Sequence, residues 1–306
     1  MAIAPHLPLI SATGVLPEVL TGRAKARSFT AYGATSTVAL RDALGLAGLL
    51  FAGYLFAVVA PSARTVGFDA FAYWHLNIAH PYDLPAGALG AFTYSPVIAR
   101  LFAPAAMLSW PAFLTIWLGI LVATMAWLGW RRTLLVLAFP PVAVELYHGN
   151  IHLLIAAAIA LGFRYPAAWA FVLLTKVTPG VGLIWFAVRR EWRSLAIALL
   201  ATAALVAVSF VIDPGLWRAW LSDAVLRVAS EGVDQQTLPI PLVLRLPVAA
   251  VLVAWGGLTN RKWTVPAAAA IGLPILWFAG LAVLAAIPAL DRAQLKERLR
   301  SPMAQT

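Results

Sequence analysis

A chain of 306 residues that is 62% hydrophobic and only 11% charged cannot dress a water-facing surface in polar groups, because soluble domains are about a quarter charged. With a mean hydropathy of +0.86, its main solvent is lipid, and a soluble globular enzyme is excluded. The formal charge of +10 invites a nucleic-acid reading, but most of the 22 Lys and Arg fall in short loops between apolar runs, the pattern of positive-inside topology, and the absence of cysteine rules out disulfides and thiolate metal sites.

Residues 1–42 read as a cytosolic lead carrying Arg23, Lys25, Arg27 and Arg41. Residues 43–60 are long enough to span, and the preceding basic residues suit an uncleaved anchor with a cytosolic N-terminus. Segment 61–109 contains Arg64, Asp69, Asp83 and Arg100 and reads as a large outer loop with short interfacial helices. Residues 110–130 span back to Arg131-Arg132. Residues 133–147 go out again, ending at Tyr147-His148-Gly149-Asn150, and 151–163 return to Arg164.

The run from Tyr165 to Arg193 is expected to form two short helices broken at Lys176–Pro179, since Pro179 removes a backbone donor. That break leaves Arg189, Arg190 and Arg193 on the cytosolic side. Residues 194–212 then go out, 213–241 form a second polar outer segment, and 242–258 return to Asn260-Arg261-Lys262. Residues 264–290 look like another broken pair, punctuated at Pro274, before a basic cytosolic tail, 291–306.

The expected fold is therefore an all-α polytopic transmembrane bundle over 43–290, with about eight to ten spans, several of them short or broken. In this arrangement sixteen of the 22 basic residues lie inside, while Arg64, Arg100, Lys176, Arg218, Arg227 and Arg245 lie outside or in the outer half. Broken backbone at depth is tolerated only where protein or a water-filled cavity solvates it, so the two broken pairs point to a cavity open towards the outer face.

Few side chains are equipped for chemistry. Asp69 sits among Phe68, Phe71, Tyr73 and Trp74 just past the first span. A carboxylate there is ordinarily a solvated loop residue and the rings an interfacial belt; the functional reading is a general base in a membrane-embedded cleft. Tyr82-Asp83 and Tyr94-Ser95-Pro96 bracket a Gly/Ala-rich loop that simple turn chemistry would also explain. His148, Asn150 and His152 interrupt two apolar runs. On a continuous helix His148 and His152 would share a face, as metal ligands do, but only Glu145 supplies a nearby carboxylate, and no metal site is assigned. Lys176 is a lysine inside an apolar stretch, where a functional partner is the default and snorkelling to the surface the alternative.

The order of these pieces is more specific than any one of them. Asp69; Tyr82-Asp83; Phe92, Tyr94 and Pro96; Gly149-Asn150-Ile151-His152; Lys176 and Pro179; and Pro274 with Trp277 together resemble glycosyltransferase family 87. Its members are polyprenol-phosphate-mannose-dependent mannosyltransferases of the C-type membrane superfamily. The resemblance covers roughly 43–290. It departs where Asn150 and His152 replace the usual Gln and Asn, and where Ser95 replaces a proline.

The resemblance implies an inverting transfer on the outer face of the plasma membrane, without metal or other cofactor. A polyprenyl-phosphate sugar would be the donor, and a lipid-linked or glycan hydroxyl the acceptor. Asp69 would be the catalytic base. Tyr82, Asp83, Tyr94, His148, Asn150, His152 and Lys176 would bind substrate, joined by Arg218 and Arg227 if these contact phosphates rather than anchor the interface. The competing classes are a transporter or lipid flippase, whose broken helices also surround a cavity, and an inactive scaffold. Asp69 and Lys176 meeting in one site would favour the transferase.

Overall fold

The structure is a computed structural model that describes residues 38–226 and 240–300. The chain divides into two compact units, 1–43 and 44–306. Of the first, only the helical residues 38–43 are described, and within it Arg41 pairs with Asp42 at 2.9 Å. Every regular element among the described residues is helical, and none is a strand.

In chain order the α-helices are α1 (Val38–Ala63), α2 (Phe68–Trp74), α3 (Pro96–Phe102), α4 (Trp110–Gly129), α5 (Thr133–Leu137), α6 (Pro140–His148), α7 (His152–Gly162), α8 (Trp169–Thr175), α9 (Ile184–Val188), α10 (Trp192–Ile212), α11 (Pro214–Ala219), α12 (Leu242–Thr259), α13 (Thr264–Ile271) and α14 (Ile287–Arg300). Two 3-10 stretches, Thr178–Leu183 and Phe278–Ala286, lie just beyond the ends of α8 and α13.

Among the described residues, five helices are long and apolar enough to cross a membrane: α1, Trp110–Leu137, α10, α12 and Phe278–Leu295. A sixth crossing is available if α6 and α7, bent by 117°, count as one broken span. This is a multi-pass membrane protein. Its crossings by this measure are fewer than the eight to ten expected, because several apolar runs fold as short pieces. At ~1.5 Å per residue a helix of nine or eleven residues, such as α6 or α7, reaches about half of a ~30 Å hydrocarbon core. The expected outward run 133–147 is two such pieces, α5 and α6, separated at Ala138-Phe139 with Pro140 opening the second. The breaks expected near Lys176–Pro179 and Pro274 are both present: α8 ends at Thr175, and α13 ends at Ile271 before the Phe278–Ala286 stretch begins.

The long helices face outwards with apolar side chains, as Leu200, Val208 and Val211 of α10 and Val243, Val248 and Val251 of α12 show by their exposure. In a lipid solvent this is the covered side, not a liability. The short helices make the interior. α7 buries His152, Leu153, Ile155, Ala156, Ala158 and Ile159, and it packs on the Phe278–Ala286 stretch. That stretch presents Ala279, Gly280, Ala282, Ala285 and Ala286, and small residues let two backbones approach closely where lipid supplies no hydrophobic drive to association.

The second break has its own support. Arg245, buried on α12, donates from Nε to the Ile240 carbonyl (2.8 Å), from Nη1 to Ile271 (2.7 Å) and Leu273 (2.8 Å), and from Nη2 to Pro274 (3.2 Å). One guanidinium thus satisfies carbonyls that unwinding after α13 sets free, which is how irregular backbone is accommodated there. Arg245→Leu should destabilise the protein by ~3 kcal/mol or more, as charge-assisted hydrogen bonds vanish and carbonyls are stranded. Arg245→Lys should recover only part, lacking the planar fork. Thermal unfolding in detergent measures both; an unchanged melting temperature for the Leu variant would refute the strut.

Candidate functional site

The site is assembled by two left-handed glycines. After α1, Gly67 (φ +72°) turns the chain into α2 and donates its N–H to the Tyr147 carbonyl at the end of α6 (2.9 Å). Thr65 Oγ1 and the Tyr147 hydroxyl meet at 2.8 Å beside it. At the same end of α6, Gly149 (φ +67°) caps the helix and starts the 117° bend into α7. A Cβ on Gly149 would lie 2.8 Å from that of Ala70, so only glycine permits both the turn and the approach of α2. Trp117 of α4 clamps the turn by donating Nε1–H to the Gly149 carbonyl (2.6 Å). Its ring also packs edge-on to Tyr73, which stacks on Phe102.

This docking puts Asp69, in the first turn of α2, beside the α6–α7 bend. Its Oδ2 is 3.9 Å from His148 Nδ1, and the side chain keeps 30% exposure. The Asn150 side chain approaches the same carboxylate and favours its charged form. Asn150 Oδ1 is engaged by the Ile151 N–H (2.7 Å) and the Tyr73 hydroxyl (3.4 Å), so its amide N–H groups are the ones left for the carboxylate. Burial pushes the Asp69 carboxyl above the usual carboxylate range, against the downward pull of His148 and the Asn150 amide.

From Tyr73 the polar chain continues. Its hydroxyl meets that of Tyr94 at 3.0 Å, and burial keeps both phenols protonated well beyond the ordinary tyrosine range. The Tyr94 ring lies 5.9 Å from Lys176 Nζ, close enough for a cation–π contact. Lys176 itself sits in extended backbone at the break after α8. Its Nζ reaches His152 Nε2 at 2.8 Å. On the far side of that ring, Nδ1 is 2.9 Å from Glu145 Oε2, and the backbone N–H groups of His152 and Leu153 both donate to Glu145 Oε1.

Asp69, Tyr94, His148, Asn150, His152 and Lys176, dispersed over more than a hundred positions, therefore form one site. Tyr82 supports it from behind, buried and donating to the Tyr94 carbonyl at 2.9 Å. Its neighbour Asp83 is exposed and outside this chain of contacts, as is Arg218 on α11. Arg227 lies outside the described residues. The two histidines do not share a helical face: His148 ends α6 and faces Asp69, while His152 opens α7 and faces Glu145 and Lys176. Among the described residues no cluster of three or more His, Cys, Asp or Glu is disposed to hold a metal ion.

Two members escaped the sequence reading. Tyr73 was legible only as part of an aromatic belt. Glu145, fully buried, carried one available signal, a carboxylate inside the apolar run Val142–Leu146, which in a membrane segment marks a functional position by default.

Fold and site thus define a multi-pass helical membrane protein whose short and broken helices converge on one cluster of ionisable side chains. The model of glycosyltransferase family 87 matches residues 92–301, about two thirds of the chain, and the chain belongs to that family. Membership supports glycosyltransferase activity in general. No curated protein and no solved structure matches the chain. The family match begins after Asp69, so a role for that residue rests on its geometry.

Proposed function

We propose that this protein transfers a sugar, mannose in the first instance, from a polyprenyl-phosphate donor to a hydroxyl acceptor, with inversion, at the outer face of the plasma membrane with both termini cytosolic. The observation that supports the reading is the run of neighbouring polar groups Asp69–Asn150–Tyr73–Tyr94–Lys176, which joins a carboxylate and a lysine from elements far apart in sequence.

The chemistry asks for those two groups. The acceptor oxygen attacks the anomeric carbon and gives its proton to the Asp69 carboxylate. The bond from the anomeric carbon to the phosphate oxygen breaks, and its electron pair leaves on the polyprenyl monophosphate. That leaving group gains negative charge and needs a cation and donors rather than a general acid, and Lys176 supplies them. In a partly desolvated site such contacts act more strongly than in water. The oxocarbenium-like transition state also benefits from the anionic carboxylate nearby.

The test is incubation of the purified protein with labelled polyprenyl-phosphate mannose and a panel of glycolipid and oligosaccharide acceptors. A labelled product with inverted anomeric configuration is expected, and no transfer to any hydroxyl acceptor would overturn the proposal. A pH profile adds a sharper check. Asp69 is the base only when ionised, and its pKa lies above the usual carboxylate range, so the rate should rise with pH through a limb clearly above the ~4 of a free aspartate. A limb at the free-carboxylate position would count against Asp69.

A further inference from the structure

Glu145 and His152 are both fully buried, and the transfer chemistry above gives neither a task. Their contacts have a direction. Glu145 receives three donors: the backbone N–H groups of His152 and Leu153 on Oε1, and the ring Nδ1 on Oε2. A carboxylate accepting at Oε2 fixes the imidazole proton on Nδ1, since the hydrogen bond made by one ring nitrogen sets the state of the other. Nε2 is then an acceptor, and it faces Lys176 Nζ at 2.8 Å. An ammonium has three donors and no acceptor. One is spent on Nε2, and two remain for a ligand.

From this geometry we infer that Glu145 is a positioning residue: acting through His152, it fixes the ring tautomer that holds the Lys176 ammonium towards the phosphate of the lipid donor. The inference rests on the proposed phosphate-binding role of Lys176. A carboxylate placed directly on Lys176 would occupy the donors that the phosphate needs. With the imidazole between them, Glu145 does not touch the ammonium, which keeps its remaining donors for a phosphate. The bland rival is that Glu145 merely caps the first turn of α7, where two of its three contacts lie.

Glu145→Gln separates the two. The glutamine oxygen can still accept the two backbone N–H groups, so the cap survives. Its amide N–H then faces Nδ1, drives the ring proton to Nε2 and removes the acceptor that holds Lys176. The readout is binding of geranyl monophosphate, a short prenyl phosphate, to the purified full chain in detergent, with thermal unfolding measured in parallel. Wild type should bind. Lys176→Ala and Glu145→Gln should each weaken binding about tenfold or more, the worth of a charge-assisted hydrogen bond, and the double variant should bind no worse than Lys176→Ala alone.

Wild-type affinity in Glu145→Gln, or effects that add in full, would overturn the inference and leave the cap. Equal binding by wild type and Lys176→Ala would instead remove the phosphate role of the lysine, and the inference with it. If Glu145→Gln does not fold, His152 carries the same test. His152→Leu should lose binding about tenfold, whereas His152→Gln, able to donate towards Glu145 and accept from Lys176, should stay near wild type. Wild-type binding by the Leu variant would refute the relay.

Discussion

Asp69→Asn should lower kcat by about 10²- to 10⁴-fold, the range that a positioned base contributes, while leaving the fold and the affinity for the lipid donor close to wild type. The substitution is nearly isosteric. Asn keeps an oxygen that can accept from Asn150 and a side chain that fits beside His148, so the docking of α2 through Gly67 and Ala70 has no reason to change. What it removes is the capacity to take a proton from an incoming hydroxyl. Single-turnover transfer and donor binding, measured on the same preparation, separate the two properties. Retained turnover would strip Asp69 of the role of base. A parallel loss of donor binding would make it a binding group.

How much of this was legible in the chain depends on what kind of signal each residue emits. Asp69 and Lys176 stand out because a charge in apolar surroundings is costly wherever it falls, so composition alone draws attention to both. The breaks near Pro179 and Pro274 were legible for a similar reason, since proline removes a backbone donor at a known position. Asp83 shows the limit of that logic. It is adjacent to Tyr82 and equally polar, yet the tyrosine is buried under Tyr94 and the carboxylate is exposed. A short loop pattern carries no information about which of two neighbours turns inwards.

Glu145 shows a different limit. Its meaning comes from three donors that exist only after Gly149 adopts φ +67° and the chain bends by 117° into α7. The same bend undid the expectation that His148 and His152 could face one way. The pairing of the Tyr73 and Tyr94 hydroxyls is topological, joining α2 to a loop 21 positions later, and no local periodicity encodes it. Fewer helices pass the length test than the eight to ten crossings expected, because several apolar runs among the described residues fold as short helices.

Lys176→Ala should raise the KM for the lipid donor by about 10- to 100-fold, the loss expected when a buried phosphate gives up a charge-assisted partner, and lower kcat further because the leaving phosphate gains charge in the transition state. The split between the two is the informative quantity. A lysine that bound the phosphate equally in the ground and transition states would change KM alone. Lys176→Arg tests geometry at constant charge. Nζ lies between His152 Nε2 at 2.8 Å and the face of the Tyr94 ring, a place shaped for a compact ammonium. The broader guanidinium should restore donor affinity better than turnover, because it carries charge to the site without the same aim. Full activity in Lys176→Ala would mean that this buried cation serves only to satisfy its neighbours. The case for a charged leaving-group site would then pass to residues outside the break after α8.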